Sequence, residues 1–477
     1  MTKLVIGLEM HAEMKSTTKV FSPSSNVYNK MANVNINEID LAFPGFMPSL
    51  NEECVKKAVE MALILKCDVA KYMIFDRKNY YYPDLPKGYQ ITQNTRPVGI
   101  NGNLEVSLNG SKFNVEILDI HLEEDAAALD HLPTFSLIDY NRAGVPLLET
   151  VTAPCMHSAD EAIAFLETMC RIYKYTGISE ADTKKGQIRC DVNVNLMDDN
   201  GNYITPKVEI KNVNSLANVK LAILYEEKRQ LESLKNNEPL YQETRRFDES
   251  SGTTIHMRSK ADAIDYKYFV EPNIPPYEIT DDFIENIRKT IPVLADARKD
   301  NYMNNLGLDE YNANILIKDI NIANYFEKCV EVGIKPIIAA NYINGIITSY
   351  INEKDININD FYLKPEYLKQ INDAKESGIL SSKGVKEVFY KSLEEKEEPK
   401  NFISKEDAQV SDENLIESII DNILSSHEKE ITIRSRGADA ALPAVHGLRR
   451  RSLLAGRPQR RTGRRGQRGY RERLQRF

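Results

Sequence analysis

The sequence lacks the short motifs that mark the best-known nucleotide-binding enzymes and hydrolases. Its 477 residues contain no GxxxxGKS/T loop, no GxGxxG turn after a strand, no GxSxG elbow and no HExxH helix. If the protein uses a nucleotide, it must therefore hold the phosphates without a P-loop. The sequence also argues against a hydrolase, because no arrangement of nucleophile and base stands out.

Cysteine pairs and long apolar runs are missing as well. The six cysteines form no CxxC pair, which argues against a zinc ribbon and against a disulfide framework. No apolar run is long enough to span a bilayer, and residues 1–14 form a short mixed segment rather than a signal peptide. We therefore expect a cytoplasmic protein with reduced, mostly buried thiols and no membrane partner.

Charge is distributed unevenly along a chain of otherwise ordinary globular composition. The formal net charge is −8, but residues 434–477 hold fourteen arginines against Asp439 and Glu472, a net charge of +12. The first 433 residues therefore carry −20. The Arg-rich segment contains no lysine, asparagine or isoleucine. Such a segment is either a basic arm for nucleic acid or a foreign, out-of-frame tail, and we favour the second interpretation.

The hydrophobic pattern divides the chain into a mixed part and a helical part. Up to about Pro292, strand-like runs such as Arg189 to Leu196 are interspersed with helices, for example from Ala159 to Tyr175. Ser158 is suited to cap that helix, and Gly177 to end it. We predict an α+β domain over residues 1–293, a helical domain over 294–400, the start of a helical tail domain over 401–433, and an atypical Arg-rich tail over 434–477.

Acidic and histidine side chains lie on the predicted strand faces of the α+β domain. Glu9 and His11 are two residues apart on the first strand and so point the same way. Taken alone, such a pair is more typical of a hydrogen-bonded strand face than of a metal site. The three consecutive acids at 123–125, and Glu149 in another apolar strand, favour the metal site. Acids and a histidine on separate strands are typical of a Mg²⁺ site that binds substrate phosphates, and a solvated acidic turn is the alternative.

Two further strands carry groups that complement these acids. Arg189, Asp191 and Asn193 share one face of a strand, and Glu209 and Lys211 share a face of the next. Basic side chains beside a metal site suit a phosphoryl group. Cross-strand salt bridging explains each strand taken singly, so the two interpretations stay open at this point.

Several of these strings together resemble one family closely. The chain is similar to the B subunits of aspartyl/glutamyl-tRNA(Asn/Gln) amidotransferases, the GatB/GatE family. The resemblance rests on eight blocks, in the family's order, within residues 1–276: VIGLEMHAEM, FDRKNYYYPDLPKGYQITQ, HLEEDA, DYNRAGVPLLETVT, IRCDVNVN, EIKNVNS, QETRRFD and MRSKADAIDYKYFVEP. The helical region to about residue 430 is similar, with weaker motifs.

The resemblance implies a kinase-like component of a heterotrimer, with a cradle-like α+β catalytic domain. Such a protein binds mischarged Glu-tRNA(Gln) or Asp-tRNA(Asn) and uses ATP and Mg²⁺ to phosphorylate the esterified side-chain carboxylate. Ammonia from the partner amidase (A) subunit then displaces phosphate, and the third member of the heterotrimer is a small C subunit. Transfer of a phosphoryl group needs metal ions and cationic groups, in agreement with the residues above.

The resemblance also implies roles for individual residues. By position, the catalytic and metal-binding side chains are those of Glu9, His11, Glu124 and Glu149. Contacts with phosphate or nucleotide are implied for Arg189, Asp191, Asn193 and Lys211. Successive residues of a regular strand face opposite ways, so Glu123 and Glu124 cannot both point at the metal. The sequence leaves open which of the two does.

The chain departs from the family pattern in two places that bear on function. Ala127 and Ala128 stand where the family usually has Gly-Lys, which removes a candidate phosphate ligand. Beyond about His427 the tail domain is no longer recognisable, so we expect weaker binding of the tRNA body. A non-catalytic RNA-binding scaffold is the alternative function, since the tyrosines among basic residues at 75–90 and 242–269 suit RNA stacking as well as a protein interface.

Overall fold

The computed structural model describes residues 2–213, 215–259 and 265–403. The chain falls into two compact units, residues 1–361 and residues 362–477. Within the described residues, the first unit holds all the strands and most of the helices. The predicted tail regions lie outside the described residues, apart from residues 401–403.

Fifteen strands occur in the described part of the first unit. In chain order they are β1 (Lys3–Glu13), β2 (Asp68–Val69), β3 (Tyr72–Asn79), β4 (Tyr89–Arg96), β5 (Gly99–Leu108), β6 (Ser111–Glu124), β7 (Ala128–His131), β8 (Ser136–Asp139), β9 (Pro146–Thr152), β10 (Ile188–Met197), β11 (Val208–Val213), β12 (Glu243–Asp248), β13 (Thr253–Ser259), β14 (Phe269–Val270) and β15 (Tyr277–Glu278).

Nine of these strands form one sheet, in the order β13-β12-β11-β10-β1-β9-β6-β5-β2. All neighbours in it are antiparallel except β11 and β12, which are parallel. Along β10 buried and half-buried residues alternate, as expected for a sheet with one face on the core and one face accessible. The polar face of this sheet carries the candidate site.

Eleven α-helices accompany the strands in the described residues. They are α1 (Glu52–Ile64), α2 (Ala159–Thr176), α3 (Leu216–Asn236), α4 (Asp281–Thr290), α5 (Ala295–Asn304), α6 (Glu310–Leu316), α7 (Ile320–Glu331), α8 (Pro336–Tyr342), α9 (Thr348–Lys354), α10 (Pro365–Glu376) and α11 (Ser382–Glu395). A π-helical segment, Ile343–Ile347, lies between α8 and α9. The sequence predicted a mixed α/β region followed by helices, and the structure confirms this prediction.

The helices α1, α2 and α3 cover the apolar face of the large sheet. The caps predicted for α2 are present: Ser158 Oγ accepts a hydrogen bond from the Glu161 N–H at 3.1 Å, and Gly177 ends the helix with φ +67°. Buried side chains such as Phe165 and Met169 pack into the same core as Leu8 of β1. This layer fixes which way each strand of the sheet faces.

A smaller sheet lies against the end of β6. In it β3 pairs antiparallel with β4, β14 and β15. The Gln93 side chain of β4 accepts a hydrogen bond from the Leu122 N–H at 2.9 Å, and Gln90 donates one to the Glu124 carbonyl at 2.7 Å. These contacts bring β3 and β4 to the edge of the polar face.

The cysteines agree with the expectation of mostly buried thiols. All six cysteines are free, and five of them are buried. None of the helices in the described residues is both long and apolar enough to cross a bilayer.

A carboxylate on α1 is expected to make stability depend on pH. Burial raises the pKa of Glu60 to about 7, above its ordinary value of 4.5. The folded protein therefore keeps a proton that the unfolded chain loses as the pH rises from about 4.5 to 7, so stability falls across that range. Glu60→Gln should stabilise the fold by about 1 kcal/mol at pH 8, after allowance for partial exposure, and by almost nothing at pH 4.5.

Urea unfolding of both proteins at the two pH values measures this effect. Glu52→Gln, on an exposed side chain of the same helix, is the control. A stabilisation by Glu60→Gln that does not change between pH 4.5 and pH 8 would contradict the assignment.

Candidate functional site

The centre of the site is a row of ionisable side chains across three neighbouring strands. In the strand register, Glu149 of β9 lies directly opposite His11 of β1 on one side and His121 of β6 on the other. One oxygen of Glu149, Oε2, is 3.2 Å from His11 Nε2 and 3.0 Å from His121 Nε2. The carboxylate of the central strand therefore joins two imidazoles.

Glu123 completes this first cluster. Its Oε1 lies 3.6 Å from His11 Nε2, and its side chain is almost fully buried. His11, Glu123 and Glu149 each offer one ligand atom, and these atoms all lie within 4.8 Å of one another. The first cluster, as we name these three residues, is a group that could hold a metal ion.

A second cluster lies beside it on β1, β10 and β11. It consists of Glu9, Asp191 and Glu209, whose nearest carboxylate oxygens also lie within 4.8 Å of one another. Lys211 Nζ is 2.6 Å from Asp191 Oδ2 and 2.9 Å from Glu209 Oε1. Asn193 donates a hydrogen bond to Glu9 Oε1 at 2.9 Å. Because Glu9 and His11 alternate with buried residues along β1, both clusters lie on the same face of the sheet.

The pKa shifts in the first cluster result from burial and from opposite charges nearby. Burial disfavours a charged imidazole, but Glu149 and Glu123 outweigh that effect and raise the pKa of His11 to about 9. The same balance, with Asp119 in addition, raises the pKa of His121 well above its ordinary value. Burial also opposes ionisation of Glu149, yet His121 and His11 hold the pKa of its carboxyl well below the usual range.

The pKa values of the neighbouring acids, Glu123 and Glu9, are raised, whereas that of Glu149 is lowered. Burial, and then the charge of Glu149, raise the pKa of the Glu123 carboxyl. Burial likewise raises the pKa of the Glu9 carboxyl. In both acids the largest cause is burial, which disfavours the charged carboxylate.

The structure does not bring Glu124 into either cluster. Its two carboxylate oxygens lie 2.5 Å from Lys87 Nζ, and Oε1 accepts the Ile91 N–H at 2.8 Å. Strand alternation is the physical reason, since His121 and Glu123 face the pocket while Glu124 faces β4. The sequence left open whether Glu123 or Glu124 points toward the site, and in the structure Glu123 is the one that does.

The predicted phosphate-binding residues lie on the polar face but differ in their surroundings. Arg189 lies opposite His11 in the register, and its guanidinium is 2.7 Å from Asp125 Oδ2. Lys211 and Asp191 are paired with each other in the second cluster. Each cation thus has a carboxylate partner, as the salt-bridge interpretation of these strands expected.

Lys78 belongs to the stretch of tyrosines and basic residues at 75–90, but the sequence did not assign it to the metal or phosphate site. It lies on β3 and lines the same pocket as Glu9, Glu123 and Glu149, and its ammonium stands 4.9 Å from the centre of the Tyr266 ring. Burial opposes its charge, but Glu123, Tyr268 and Glu149 together raise its pKa. Lys78 therefore adds a positive charge close to Glu123 and Glu149 of the first cluster.

Glu9, Glu123 and Glu149 of the two clusters line, together with Lys78, a pocket of about 480 Å³. Asp119, His121 and Glu123 reach it from alternate positions of β6, and His121 Nδ1 is 2.8 Å from Asp119 Oδ1. The spacing Asp119-x-His121-x-Glu123 is a signal in the sequence that could have identified His121, because it repeats the strand period. Lys78 had no such signal, since only the contact of the small sheet with β6 brings it to the site.

The fold and the pocket define a class of protein in which one sheet face presents clustered carboxylates and imidazoles, the donors of a divalent-cation site. Comparison with known proteins gives the family. Residues 4–285 match the family model of the GatB/GatE catalytic domain, and residues 324–452 match that of the GatB domain. The chain belongs to the GatB/GatE family.

Curated relatives match nearly the whole chain. Three of them are named as the B subunits of aspartyl/glutamyl-tRNA(Asn/Gln) amidotransferases. The protein of Ligilactobacillus salivarius is 40% identical over 445 residues, 93% of each chain. That of Oceanobacillus iheyensis is 39% identical over 92% of each chain, and that of Geobacillus kaustophilus 39% identical over 93% of this chain and 94% of its own.

The extent of the family match corrects one expectation from the sequence. The resemblance was expected to end near His427, but the match to the GatB domain continues to residue 452. The first part of the Arg-rich segment is thus included in a family domain. Its structure lies outside the described residues.

Proposed function

We propose that this chain activates the side-chain carboxylate of a mischarged tRNA with ATP. The relatives' name, tRNA(Asn/Gln) amidotransferase, supports the amidation that follows this activation. The carboxylate oxygen of Glu-tRNA(Gln) or Asp-tRNA(Asn) attacks the γ-phosphorus of ATP, and ADP leaves. Ammonia then attacks the acyl carbon, phosphate leaves with its electron pair, and the amide is formed. The observation that supports this proposal most is the pair of acidic clusters side by side on one sheet face, with Glu9, Glu123 and Glu149 lining a pocket of about 480 Å³.

The residues present fit Mg²⁺. The first cluster offers two carboxylates and one imidazole, and the second offers three carboxylates. The Asn193 Oδ1 atom, next to the second cluster, is buried and accepts no hydrogen bond from the described residues. Carboxylate and amide oxygens are the ligands that Mg²⁺ prefers, and it keeps open positions for substrate phosphates. Bound there, Mg²⁺ would neutralise the charge on the phosphates during transfer.

The roles of this chain's residues follow from their positions. His11, Glu123 and Glu149 hold one cation, and Glu9, Asp191 and Glu209 hold a second. We assign the metal-binding role to Glu123 in place of Glu124. Glu124 instead fixes Lys87 and the start of β4, because it takes a hydrogen bond from each.

The basic side chains orient the phosphates. Lys78 faces the first cluster and carries a charge that the acids stabilise. Lys211 and Arg189 border the clusters, each held in place by a carboxylate partner. Such fixed cations act without reorganising when charge develops on the transferred group.

The proposal includes the partners that the resemblance to the family implies. Ammonia comes from an amidase (A) subunit, and the third member of the heterotrimer is a small C subunit. The large sheet forms the cradle that receives the end of the tRNA. The free thiols suit a cytoplasmic complex.

Release of phosphate from ATP by the assembled heterotrimer tests the proposal. It should require mischarged tRNA and Mg²⁺, and it should stop when EDTA is added. Uncharged tRNA is the matched control, because it offers the same RNA without the reacting carboxylate. A complex that binds mischarged tRNA but cleaves no ATP would favour the alternative, a non-catalytic RNA-binding scaffold.

A further inference from the structure

His121 is the ionisable side chain of the central row to which the proposed function gives no role. It lies on β6, opposite Glu149 in the register, and its side chain is only 13% exposed. It does not belong to the first cluster, whose ligand atoms come from His11, Glu123 and Glu149. A buried histidine that contacts a metal ligand, but is not one itself, is suited to orient that ligand.

Both ring nitrogens of His121 face a carboxylate. Nδ1 is 2.8 Å from Asp119 Oδ1, and Nε2 is 3.0 Å from Glu149 Oε2. An ionised carboxylate can only accept hydrogen bonds, so each nitrogen donates one and keeps no lone pair for a cation. His121 therefore acts on the site through Glu149 and not as a metal ligand.

The hydrogen bond from His121 fixes the carboxylate of Glu149. The side chain of a glutamate is flexible, and ordering it before a cation arrives lowers the entropy cost of binding. Glu149 Oε2 is also 3.2 Å from His11 Nε2, so the orientation that His121 holds is the one that keeps Glu149 in the first cluster. Loss of such an outer partner typically weakens metal binding by about 10- to 100-fold.

Asp119 in turn holds His121. The pairing of β6 with β9 shifts register between Ile117 and Asp119, and beyond this β-bulge Asp119 and His121 line the same pocket. Bulges near active sites often redirect a side chain in this way. The Asp119 carboxylate thus reaches Nδ1 and keeps the imidazole ring turned with Nε2 towards Glu149.

We propose that His121 is a positioning residue for the cation of the first cluster: held by Asp119, it orients the Glu149 carboxylate that binds the ion. This inference rests on the part of the proposed function that places a cation in the first cluster. The second cluster provides a reference in the same protein. Within the described residues, none of its three acids is hydrogen-bonded or paired with His121 or Asp119.

The test is binding of Mn²⁺ to the assembled heterotrimer, followed by the EPR signal of the free ion. Mn²⁺, like Mg²⁺, prefers carboxylate ligands, and its binding can be measured without ATP. We expect His121→Leu to weaken one Mn²⁺ site by about tenfold or more and to leave the second-cluster site within about twofold. His121→Gln, whose amide can still donate to Glu149, should weaken the same site by less than about threefold.

Asp119→Ala tests the same role without an apolar replacement in the row, because the Asp119 side chain is 30% exposed. It should weaken the same Mn²⁺ site by about tenfold, and Asp119→Asn, which keeps an accepting oxygen, by less than about threefold. His131→Leu is the matched control and should change neither site. It alters an exposed histidine of β7 whose Nδ1 lies 2.9 Å from Ser136 Oγ.

ATP cleavage separates positioning from chemistry. In the Asp119→Ala complex, the Mg²⁺ concentration for half-maximal rate should rise about tenfold, while the rate at saturating Mg²⁺ stays within about threefold. Equal weakening of both Mn²⁺ sites, unchanged binding in His121→Leu and Asp119→Ala, or an equal effect of His131→Leu would overturn the proposal. An unaltered complex that binds no Mn²⁺ would overturn it as well. If the unaltered complex binds Mn²⁺ but cleaves no ATP, the proposed function fails, and selective weakening of one site still supports the positioning role.

Discussion

Glu149→Gln is expected to reduce tRNA-dependent ATP cleavage by about a thousandfold or more, a loss on the order of 4 kcal/mol of transition-state stabilisation. Glu149 lies on the central strand of the row, within hydrogen-bond range of both His11 and His121. The substitution keeps the size of the side chain but removes the negative charge that both histidines and a cation share. Phosphate release from ATP by the assembled complex measures the effect.

Two control measurements test whether the loss of ATP cleavage is specific to the site. Glu105→Gln alters an exposed carboxylate of β5 that pairs with Lys112, and should leave ATP cleavage within about twofold. Hydrolysis of glutamine by the partner should remain detectable in the Glu149→Gln complex, because the proposal places that chemistry on another polypeptide. Amidation at a normal rate by this variant would show that the first cluster is not the site.

The largest effect on stability is expected for Glu226→Ala. Glu226 of α3 is fully buried, and its carboxylate lies 2.6 Å from Arg229 Nη2. It also accepts a hydrogen bond from Thr254 Oγ1 at 3.0 Å and lies 3.8 Å from Arg245 Nε. Truncation leaves two guanidinium groups with one carboxylate fewer, so the free energy of unfolding should fall by about 3–5 kcal/mol.

Urea unfolding of the two proteins at pH 7 measures this loss. Glu232→Ala, on an exposed position of the same helix, should lower stability by less than about 0.5 kcal/mol. If Glu226→Ala and Glu232→Ala have equal effects, the buried network does not hold α3 to β12 and β13 as the contacts indicate.

The alternation along the strands and the periodicity of the helices could be predicted from the sequence, because both depend only on residues that are close together in the chain. Alternation on β1 placed Glu9 and His11 on one face, and alternation on β10 placed Arg189, Asp191 and Asn193 on one face. The cap residue Ser158 and Gly177 bounded α2 correctly to within one residue, because capping depends on side chains next to the helix end. The mixed part and the helical part could be separated for the same reason.

The order of the strands was decided by the tertiary structure alone. Nothing local in the sequence says that β9 lies between β1 and β6, and that order puts Glu149 between His11 and His121. Pairing between distant segments depends on the packing of a whole sheet face, so it is not encoded in any one window of residues. The sheet register, and with it the first cluster, could therefore be established only from the tertiary structure.

The choice between Glu123 and Glu124 shows the same limit at the scale of one residue. The sequence determined that only one of them could face the pocket, because a strand alternates. Which one it is depends on the register of β6 against β9 and on Lys87 and Ile91, which bind Glu124 from the other side. A shift of one residue exchanges the two faces of a strand, so the contacts made across the sheet, and not the strand itself, select the side chain that reaches the site.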